Sequence, residues 1–182
     1  MSSFLIIIFI ILVVLIALAL LYVYYYNRFN EAIIRICEAE NRIDNNLRDK
    51  YDLLNKCLSL IKEKIELEEG KFNDLLVLKT KKLSNFDFDR ALVKISNEIT
   101  SFCENNKKLH DNDELFKSLK QIELIDEELV TLRVYYNANI SNYNTMVKKI
   151  PSMLVAKIKK YKERMYYDLK DMSDEDYSDF KL

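Results

Sequence analysis

Few side chains in this chain could carry out chemistry. Its 182 residues contain one histidine, His110, and three cysteines, Cys37, Cys57 and Cys103. A thiol and an imidazole can act as nucleophile and base, but nothing in the sequence around them supplies a residue to orient such a pair. The Glu-x-x-His motif of a di-iron bundle is absent, because Lys107 stands three residues before His110. The cysteines are also too far apart in sequence to begin a zinc site. We therefore predict no catalytic residue, no metal and no cofactor.

The composition argues against further classes of site. Phosphate-cradling loops, dinucleotide fingerprints and nucleophile elbows need several glycines, and the chain has one, Gly70. There are 28 basic and 29 acidic residues, so no overall charge attracts a nucleic acid. One glycine and one proline also disfavour a chain rich in tight hairpins. The polar part of the chain is predicted to be almost wholly helical.

A long apolar segment begins close to the amino terminus. Residues 4–21 are all apolar, tyrosines occupy positions 22, 24, 25 and 26, and the first charge is Arg28. A helix over residues 4–24 is about 30 Å long, which matches the hydrocarbon core of a bilayer. Tyrosine rings suit the headgroup level. We predict a transmembrane anchor in residues 1–26. A cleaved signal peptide is the weaker alternative, because no basic residue precedes the apolar run. A buried core helix is weaker still, because the run is apolar on every face.

The charges beside this segment predict its orientation. Arg28, Arg35 and Arg42 all follow it, and only the amino terminus precedes it. The positive-inside rule therefore predicts a single-pass protein whose carboxy-terminal bulk is cytoplasmic. An odd number of widely spaced cysteines is consistent with reduced thiols in that compartment.

Apolar residues recur at spacings of three and four along the rest of the chain, which is typical of helices packed in a bundle or coiled coil. The sequence leaves open whether the first helix continues through Gly70 or is capped there and turns back. A second helix is predicted to begin after Ser84, with Asp87 or Asn85 as its N-cap. A polar loop or frayed helix end follows over residues 104–113, and a third helix runs from Asp113 and is ended by Pro151. The residues that define these stripes are Ile33, Ile36, Ile43, Leu47, Tyr51, Leu54, Leu58, Ile61 and Ile65, then Phe88, Leu92, Ile95, Ile99, Phe102 and Leu109, then Leu115, Leu119, Ile122, Leu129, Tyr136, Ile140, Tyr143, Val147 and Ile150.

Two charges interrupt the apolar stripe of the third helix. Asp126 and Arg133 occupy positions of the stripe, where an unpaired charge is unfavourable. We predict a partner for each, with Asp44 on the first helix as the candidate for Arg133. The alternative is that both charges lean out to solvent at the edge of the stripe.

A short amphipathic helix is predicted over residues 153–167. One face carries Leu154, Ile158, Tyr161 and Met165, and the basic residues are Lys157, Lys159, Lys160, Lys162 and Arg164. Such a helix either covers the bundle with a solvated basic face, which we favour, or docks on anionic lipid. The acidic tail, residues 168–182, is predicted to be disordered.

Several short motifs resemble those of the bacterial LemA family. They are the Tyr-Asn pairs Tyr136-Asn137 and Tyr143-Asn144 after Arg133 and before Pro151, the Tyr26-Asn27-Arg28-Phe29 stretch, and Ile43-Asp44 and Leu47 leading to Asp52-Leu53-Leu54. Two departures are Asn55-Lys56, where the family usually has Pro-Asn, and a missing Tyr-Pro-x-Leu element before the third helix. The resemblance implies an all-α fold, with an N-terminal transmembrane helix followed by an antiparallel up-and-down bundle of about four helices in residues 27–167. It also implies a tether to the cytoplasmic membrane with the amino terminus outside. It implies no established reaction.

The motif positions have a structural or an interaction role in this interpretation. They are Asp44, Asp52, Arg133, Tyr136, Asn137, Tyr143 and Asn144. Each Tyr-Asn pair places a ring and an amide on one helix, where the amide can bond to a neighbouring segment. A structural role is favoured over a binding site.

The sequence thus predicts a non-enzymatic scaffold or adaptor whose partners are the lipid bilayer and other membrane-associated proteins, with self-association left open. A membrane stress or signal sensor that shifts helix register is one alternative. A lipid-surface-binding remodelling protein that uses residues 153–167 is another.

Overall fold

The computed structural model describes residues 2–67, 70–78 and 83–167. The helices are α1 (Ser2–Lys64), α2 (Asn73–Leu78), α3 (Asn85–Asn105), α4 (Asp113–Lys148) and α5 (Ser152–Lys159), with a 3₁₀ turn at Lys107–Leu109. These described ranges contain no β-strand. The predicted all-α helical-bundle fold is confirmed. The acidic tail lies outside the described residues, so the prediction of disorder there is not addressed.

The amino-terminal part of α1 is apolar and exposed. The large aliphatic side chains and phenylalanines from Phe4 to Val23 keep about half or more of their surface accessible. Within the described ranges, α1 is the one helix long and apolar enough, by length and composition, to cross a membrane. It remains a single helix as the sequence changes from apolar to amphipathic, because no glycine or proline interrupts residues 2–64.

The chain divides into two compact units, each of which includes part of α1 and part of α4. Of the described residues, those up to Glu38 and Tyr135–Tyr166 form unit 1, and those of Ala39–Val134 together with Tyr167 form unit 2.

In unit 2, α1 and α4 run antiparallel. Arg42 pairs with Glu128, and Lys56 pairs with Glu114, so the α1 position rises by 14 residues as the α4 position falls by 14. The core contains most positions of the expected stripes, and the half-buried ones are Tyr51, Ile65, Phe88, Phe102 and Leu119. Ala39, Lys50 and Cys57 of α1 are buried members that the apolar pattern did not include. Its buried apolar residues include Ile43, Leu47, Leu54, Ile61, Leu75, Leu92, Ile95, Ile99, Leu109, Leu115, Ile122 and Leu129.

In unit 1, three aromatic rings hold the segments together. Phe29 of α1 contacts Tyr143 of α4 at 5.7 Å between ring centroids and Tyr161, beyond α5, at 5.0 Å. Phe29 lies three residues after Tyr26, the last of the tyrosines that end the apolar segment. The other buried apolar residues of this core include Ala32, Ile36, Tyr136, Ile140, Met146, Val155 and Ala156.

The helix ends differ from the sequence expectations at two places. α1 ends at Lys64, before Gly70, so the continuation through Gly70 is wrong, and Gly70 instead occupies a turn with φ of +89°. The N-cap of α3 is Ser84, whose hydroxyl oxygen accepts a hydrogen bond from the Asp87 backbone N–H at 3.1 Å. Asn85 and Asp87, the two predicted caps, therefore both lie in the first turn of α3, and neither is its N-cap.

The last helix is shorter than predicted. α5 ends before Lys160, which adopts a left-handed conformation with φ of +57°, and residues 161–167 are not helical. Its buried side chains are Ser152, Val155 and Ala156, whereas Leu154 and Ile158 are exposed. The predicted helix over 153–167 and its predicted apolar inner face are both wrong. Ile150 is also exposed, so the buried stripe of α4 ends before it.

Candidate functional site

Asp126, the first charged residue on the stripe of α4, forms an ion pair in the core of unit 2. The Lys50 ammonium lies 2.5 Å from an oxygen of Asp126, and the Lys50 side chain has no exposed surface. Asp126 keeps 39 % of its side-chain surface exposed, so the carboxylate faces water on one side and the ammonium on the other. The predicted partner for Asp126 therefore exists, and it is a lysine of α1.

The second charge of the stripe forms a three-residue cluster in the same unit. Nη2 of Arg133 lies between both oxygens of Asp89 on α3, at 2.5 and 2.6 Å. The hydroxyl of Tyr167 lies 3.0 Å from the same carboxylate and 3.2 Å from the carbonyl oxygen of Asn85. The Arg133 guanidinium also lies 5.8 Å from the centroid of the Tyr167 ring. The cluster therefore fastens the residue that follows unit 1 in sequence to α3 and α4.

The predicted Asp44–Arg133 pair is wrong. Asp44 pairs instead with Arg48, one helical turn away on α1, at 2.9 Å. The carboxylate that reaches Arg133 is Asp89, which is 4 % exposed. A guanidinium with 16 % of its side chain exposed needs a carboxylate that is buried with it, and Asp44 faces solvent more than Asp89 does.

The electrostatics of the cluster favour a neutral phenol and paired charges. Burial raises the pKa of Tyr167 well above its usual value, and the neighbouring Asp89 carboxylate raises it further. The phenol therefore stays protonated over the physiological range and can donate a hydrogen bond to Asp89. Nε of Arg133 is buried and has no hydrogen-bond partner among the described residues.

In unit 1, the second Tyr-Asn pair joins α4 to the segment after α5. The Asn144 amide donates to the backbone carbonyl of Arg164 at 2.8 Å and accepts from the Arg164 N–H at 2.9 Å. The Arg164 guanidinium lies 5.5 Å from the centroid of the Tyr143 ring. One side chain thus satisfies both backbone polar groups of a residue in a non-helical segment.

The remaining motif residues lie in less distinctive surroundings. Tyr136 is buried and Asn137 half-buried, and both make polar or ring contacts within the protein. Asp52 is exposed at the rim of a shallow groove that Tyr51 and Phe88 also line. These positions do not converge on a single pocket.

The five basic residues near the carboxy terminus do not share one helical face. Lys157 and Lys159 lie on α5, and Lys160 and Lys162 follow it, all exposed. Lys159 places its ammonium 4.8 Å from the centroid of the Tyr26 ring on α1. Arg164 is half-buried against Tyr143 and is therefore part of the packing.

The cysteines and the histidine have the properties of structural or solvent-facing residues. Burial raises the pKa of Cys57 to about 12 and that of Cys103 to about 11, whereas Cys37 is exposed. A thiol that stays protonated at neutral pH is a poor nucleophile. His110 is exposed, with Nε2 at 3.2 Å from the carbonyl oxygen of Glu104. Among the described residues, no three His, Cys, Asp or Glu side chains are grouped so that they could hold a metal ion.

Comparison with protein families places the chain. The model of the LemA family matches residues 39–178, more than three quarters of the sequence. The chain belongs to the LemA family. Neither a curated protein nor a solved structure matches it significantly. The LemA match covers every motif residue from Asp44 to Asn144 that the sequence singled out, together with the basic residues after Pro151.

The sequence interpretation of this LemA-family chain missed the roles of Lys50, Asp89 and Tyr167. The positions of Lys50 and Asp89 in the apolar repeat could have indicated their burial. Lys50 lies three residues after Leu47 and four before Leu54, so it occupies the buried register although its type suggests solvent. Asp89 lies three residues before Leu92 in the same way. Tyr167 left no such signal, because it follows a non-helical segment whose path depends on tertiary contacts.

Proposed function

We propose that this LemA-family chain is a membrane-anchored, non-enzymatic scaffold whose helical bundle presents a contact surface to other membrane-associated proteins. The observation that carries the proposal is the continuity of α1. Tyr24 is still exposed, but Phe29, five residues later on the same helix, is completely buried in unit 1. One uninterrupted helix therefore serves both as the apolar segment and as a core element.

The apolar segment supports the anchoring part of the proposal. The exposed side chains between Phe4 and Val23 form a surface far more apolar than a water-soluble protein keeps. A bilayer covers such a surface along the whole length of the helix. Arg28, Arg35 and Arg42 follow it, so the positive-inside rule favours a cytoplasmic bundle with the amino terminus outside.

The outer face of α4 supports the scaffold part. Phe116, Val130 and Val134 are exposed apolar residues in unit 2, and at 100° per residue they lie within about 40° of one another around the helix axis. The charges of the adjacent, buried stripe are paired internally by Lys50 and Asp89. The paired charges therefore stabilise the packing of the bundle, whereas the exposed apolar residues are available to contact another protein.

Anchoring and orientation are tested on the full-length chain in cells. We expect the protein to remain in the membrane pellet after alkaline carbonate extraction. A tag at the carboxy terminus should resist protease added to whole cells and should be digested once the membrane is opened. Release by carbonate, or digestion of the tag on whole cells, would contradict the anchor or its orientation, respectively.

The scaffold role is tested by site-specific photo-cross-linking in the native membrane. A benzophenone amino acid is placed at Val130 or Val134, and at Thr131 as a matched control, which is exposed on α4 but points about 100° away from Val130. We expect discrete adducts from positions 130 and 134 and none of the same mass from position 131. Identical patterns at all three positions would remove the support for a specific contact surface.

A further inference from the structure

α5 lies close to the end of the apolar segment, within unit 1. The Lys159 ammonium is 4.8 Å from the ring centroid of Tyr26, and the ring of Tyr161, two residues further on, is 5.0 Å from that of Phe29. Tyr26 is the last of the tyrosines that mark the predicted headgroup level of α1. The carboxy-terminal end of α5 therefore lies within one helical turn of that level along α1.

One face of α5 is apolar, and it is exposed within the part of the chain that the structure describes. Leu154 and Ile158 are 56 % and 66 % exposed, and their spacing of four residues keeps them on one side of the helix. The burial of Ser152, Val155 and Ala156 fixes which side faces the protein. The exposed apolar face is therefore a consequence of the packing and cannot be buried by rotating α5.

The charge around this face is uniformly basic. Six lysines and no acidic residue occur among residues 148–162. Among the residues that the structure describes, Lys148 is the one lysine of this group that forms an ion pair, with Glu163 at 2.8 Å. Lys157 lies about 60° from Leu154 around the axis of α5, at 100° of rotation per residue, and therefore on the same side.

We propose that α5 is an interfacial helix that places Leu154 and Ile158 in the headgroup layer of an anionic bilayer, with its lysines among the lipid phosphates. The inference rests on the proposed anchoring of α1, because the position of α5 beside Tyr26 sets its height relative to the bilayer. Apolar side chains flanked by lysines are the composition of helices that lie in this layer. The bundle would then contact the membrane at two places, the span and α5.

The test uses tryptophan as a depth probe, because the chain contains none. Full-length Leu12→Trp, Leu154→Trp and Ile34→Trp are reconstituted in vesicles that contain phosphatidylglycerol and lipids brominated on their acyl chains. Leu12 reports on the span. Ile34 is the matched control: its exposure of 57 % equals that of Leu154 closely, but it lies ten residues beyond Tyr24 on α1, about 15 Å along the helix axis.

We expect brominated lipid to lower the emission of Leu12→Trp strongly, to lower that of Leu154→Trp roughly twofold, and to leave that of Ile34→Trp unchanged. Quenching of Leu12→Trp without quenching of Leu154→Trp would overturn the inference and leave the anchor intact. Absence of quenching at position 12 would overturn the anchor itself, and the inference with it. Each variant is an exposed apolar replacement, and helix content measured by circular dichroism confirms the fold.

Two further arms identify what covers α5. Replacing phosphatidylglycerol by phosphatidylcholine should reduce the quenching of Leu154→Trp roughly twofold and leave that of Leu12→Trp unchanged. Equal quenching in both lipids would overturn the preference for anionic headgroups. A blue shift of Leu154→Trp emission that depends on protein concentration in detergent, without quenching by brominated lipid, would indicate a second copy of the chain and overturn the lipid assignment.

Discussion

The ammonium of Lys50 and the carboxylate of Asp126 lie 2.5 Å apart, with the lysine completely buried and the aspartate partly in water. This asymmetry determines what each residue contributes. Lys50 depends on Asp126, because a buried ammonium without a counter-charge is strongly unfavourable. Asp126 depends less on Lys50, because solvent reaches the other side of its carboxylate.

Removing one partner of this pair should therefore cost more than removing the other. We expect Asp126→Asn to lower the free energy of unfolding by about 2–3 kcal/mol and Lys50→Met to change it by less than about 1 kcal/mol, since the long apolar side chain of methionine fills the lysine's space. Denaturant titration of the full-length protein in detergent, followed by circular dichroism, measures both. Glu128→Gln, which removes the exposed partner of Arg42, is the control and should cost below about 0.5 kcal/mol. Equal losses for Asp126→Asn and Lys50→Met would contradict the asymmetry.

The Asp89–Arg133–Tyr167 cluster makes a graded prediction. Asp89→Asn leaves the Arg133 guanidinium buried without its carboxylate and should cost about 3 kcal/mol. Tyr167→Phe removes only the hydroxyl that contacts Asp89 and should cost about 1 kcal/mol. Tyr166→Phe is the matched control, because Tyr166 is the exposed neighbour, and it should be neutral. The same unfolding titration ranks the three variants, and a loss for Tyr166→Phe as large as that for Tyr167→Phe would contradict the role of the cluster.

The need for these ion pairs could be predicted from the sequence, but the partners could not. Asp126 and Arg133 stand at apolar positions of a regular stripe, which is enough to require counter-charges. Which residue supplies them depends on how the helices are rotated about their axes and on which helix lies opposite. Lysine and aspartate are also read as solvent residues by default, which hid Lys50 and Asp89.

The end of α5 could not be predicted from the sequence for a different reason. No glycine or proline occurs between residues 152 and 167, so nothing local predicts that the helix stops at Lys159. The chain adopts a left-handed conformation at Lys160, which is locally unfavourable for a residue with a side chain. The contacts that Tyr161 makes with Phe29 and that Arg164 makes with Asn144 offset this cost, and they are tertiary. Long stripes were therefore predictable, and the path of this short segment was not.

The side-chain amide of Asn144 bonds to both backbone polar groups of Arg164, so we expect it to hold the segment after α5 in place. Asn144→Ala should lower the free energy of unfolding by about 1–2 kcal/mol, because two backbone groups of Arg164 lose their partner. It should also speed proteolysis near residues 160–166. Asn142→Ala, at an exposed position on the same helix, should leave both quantities unchanged. Limited trypsin digestion at the lysines of this segment, with mass spectrometry of the fragments, distinguishes the two variants. Unaltered cleavage in Asn144→Ala would show that other contacts suffice.

Thiol accessibility should separate the three cysteines. Cys37 is exposed, whereas Cys57 and Cys103 are buried with pKa values raised by that burial. Thiol reagents attack the thiolate, so we expect one thiol per folded chain to react with Ellman's reagent near pH 8 and three to react in denaturant. Cys37→Ser should leave no rapidly reacting thiol. A fast reaction that persists in Cys37→Ser would show that the core opens on the time scale of the reagent.

The same two buried thiols should make the fold sensitive to alkali. Burial is the main cause that raises the pKa of Cys57 to about 12, from 9.0, and that of Cys103 to about 11, from the same value. In the unfolded chain both ionise near pH 9, so above that pH the folded state binds more protons than the unfolded state. The contribution of the two thiols to the free energy of unfolding is therefore fully present below pH 9, and it is lost as the pH rises through their folded-state pKa values. We expect a loss of roughly 2–4 kcal/mol between pH 7.5 and 10.5, measured by denaturant titration under reducing conditions.

The double variant Cys57→Ala/Cys103→Ala has lower stability at pH 7.5 because of the smaller side chains, but its loss over the same pH range should be much smaller. An unchanged pH dependence in that variant would assign the alkaline loss to other groups, of which Tyr143 and Tyr167 have raised pKa values.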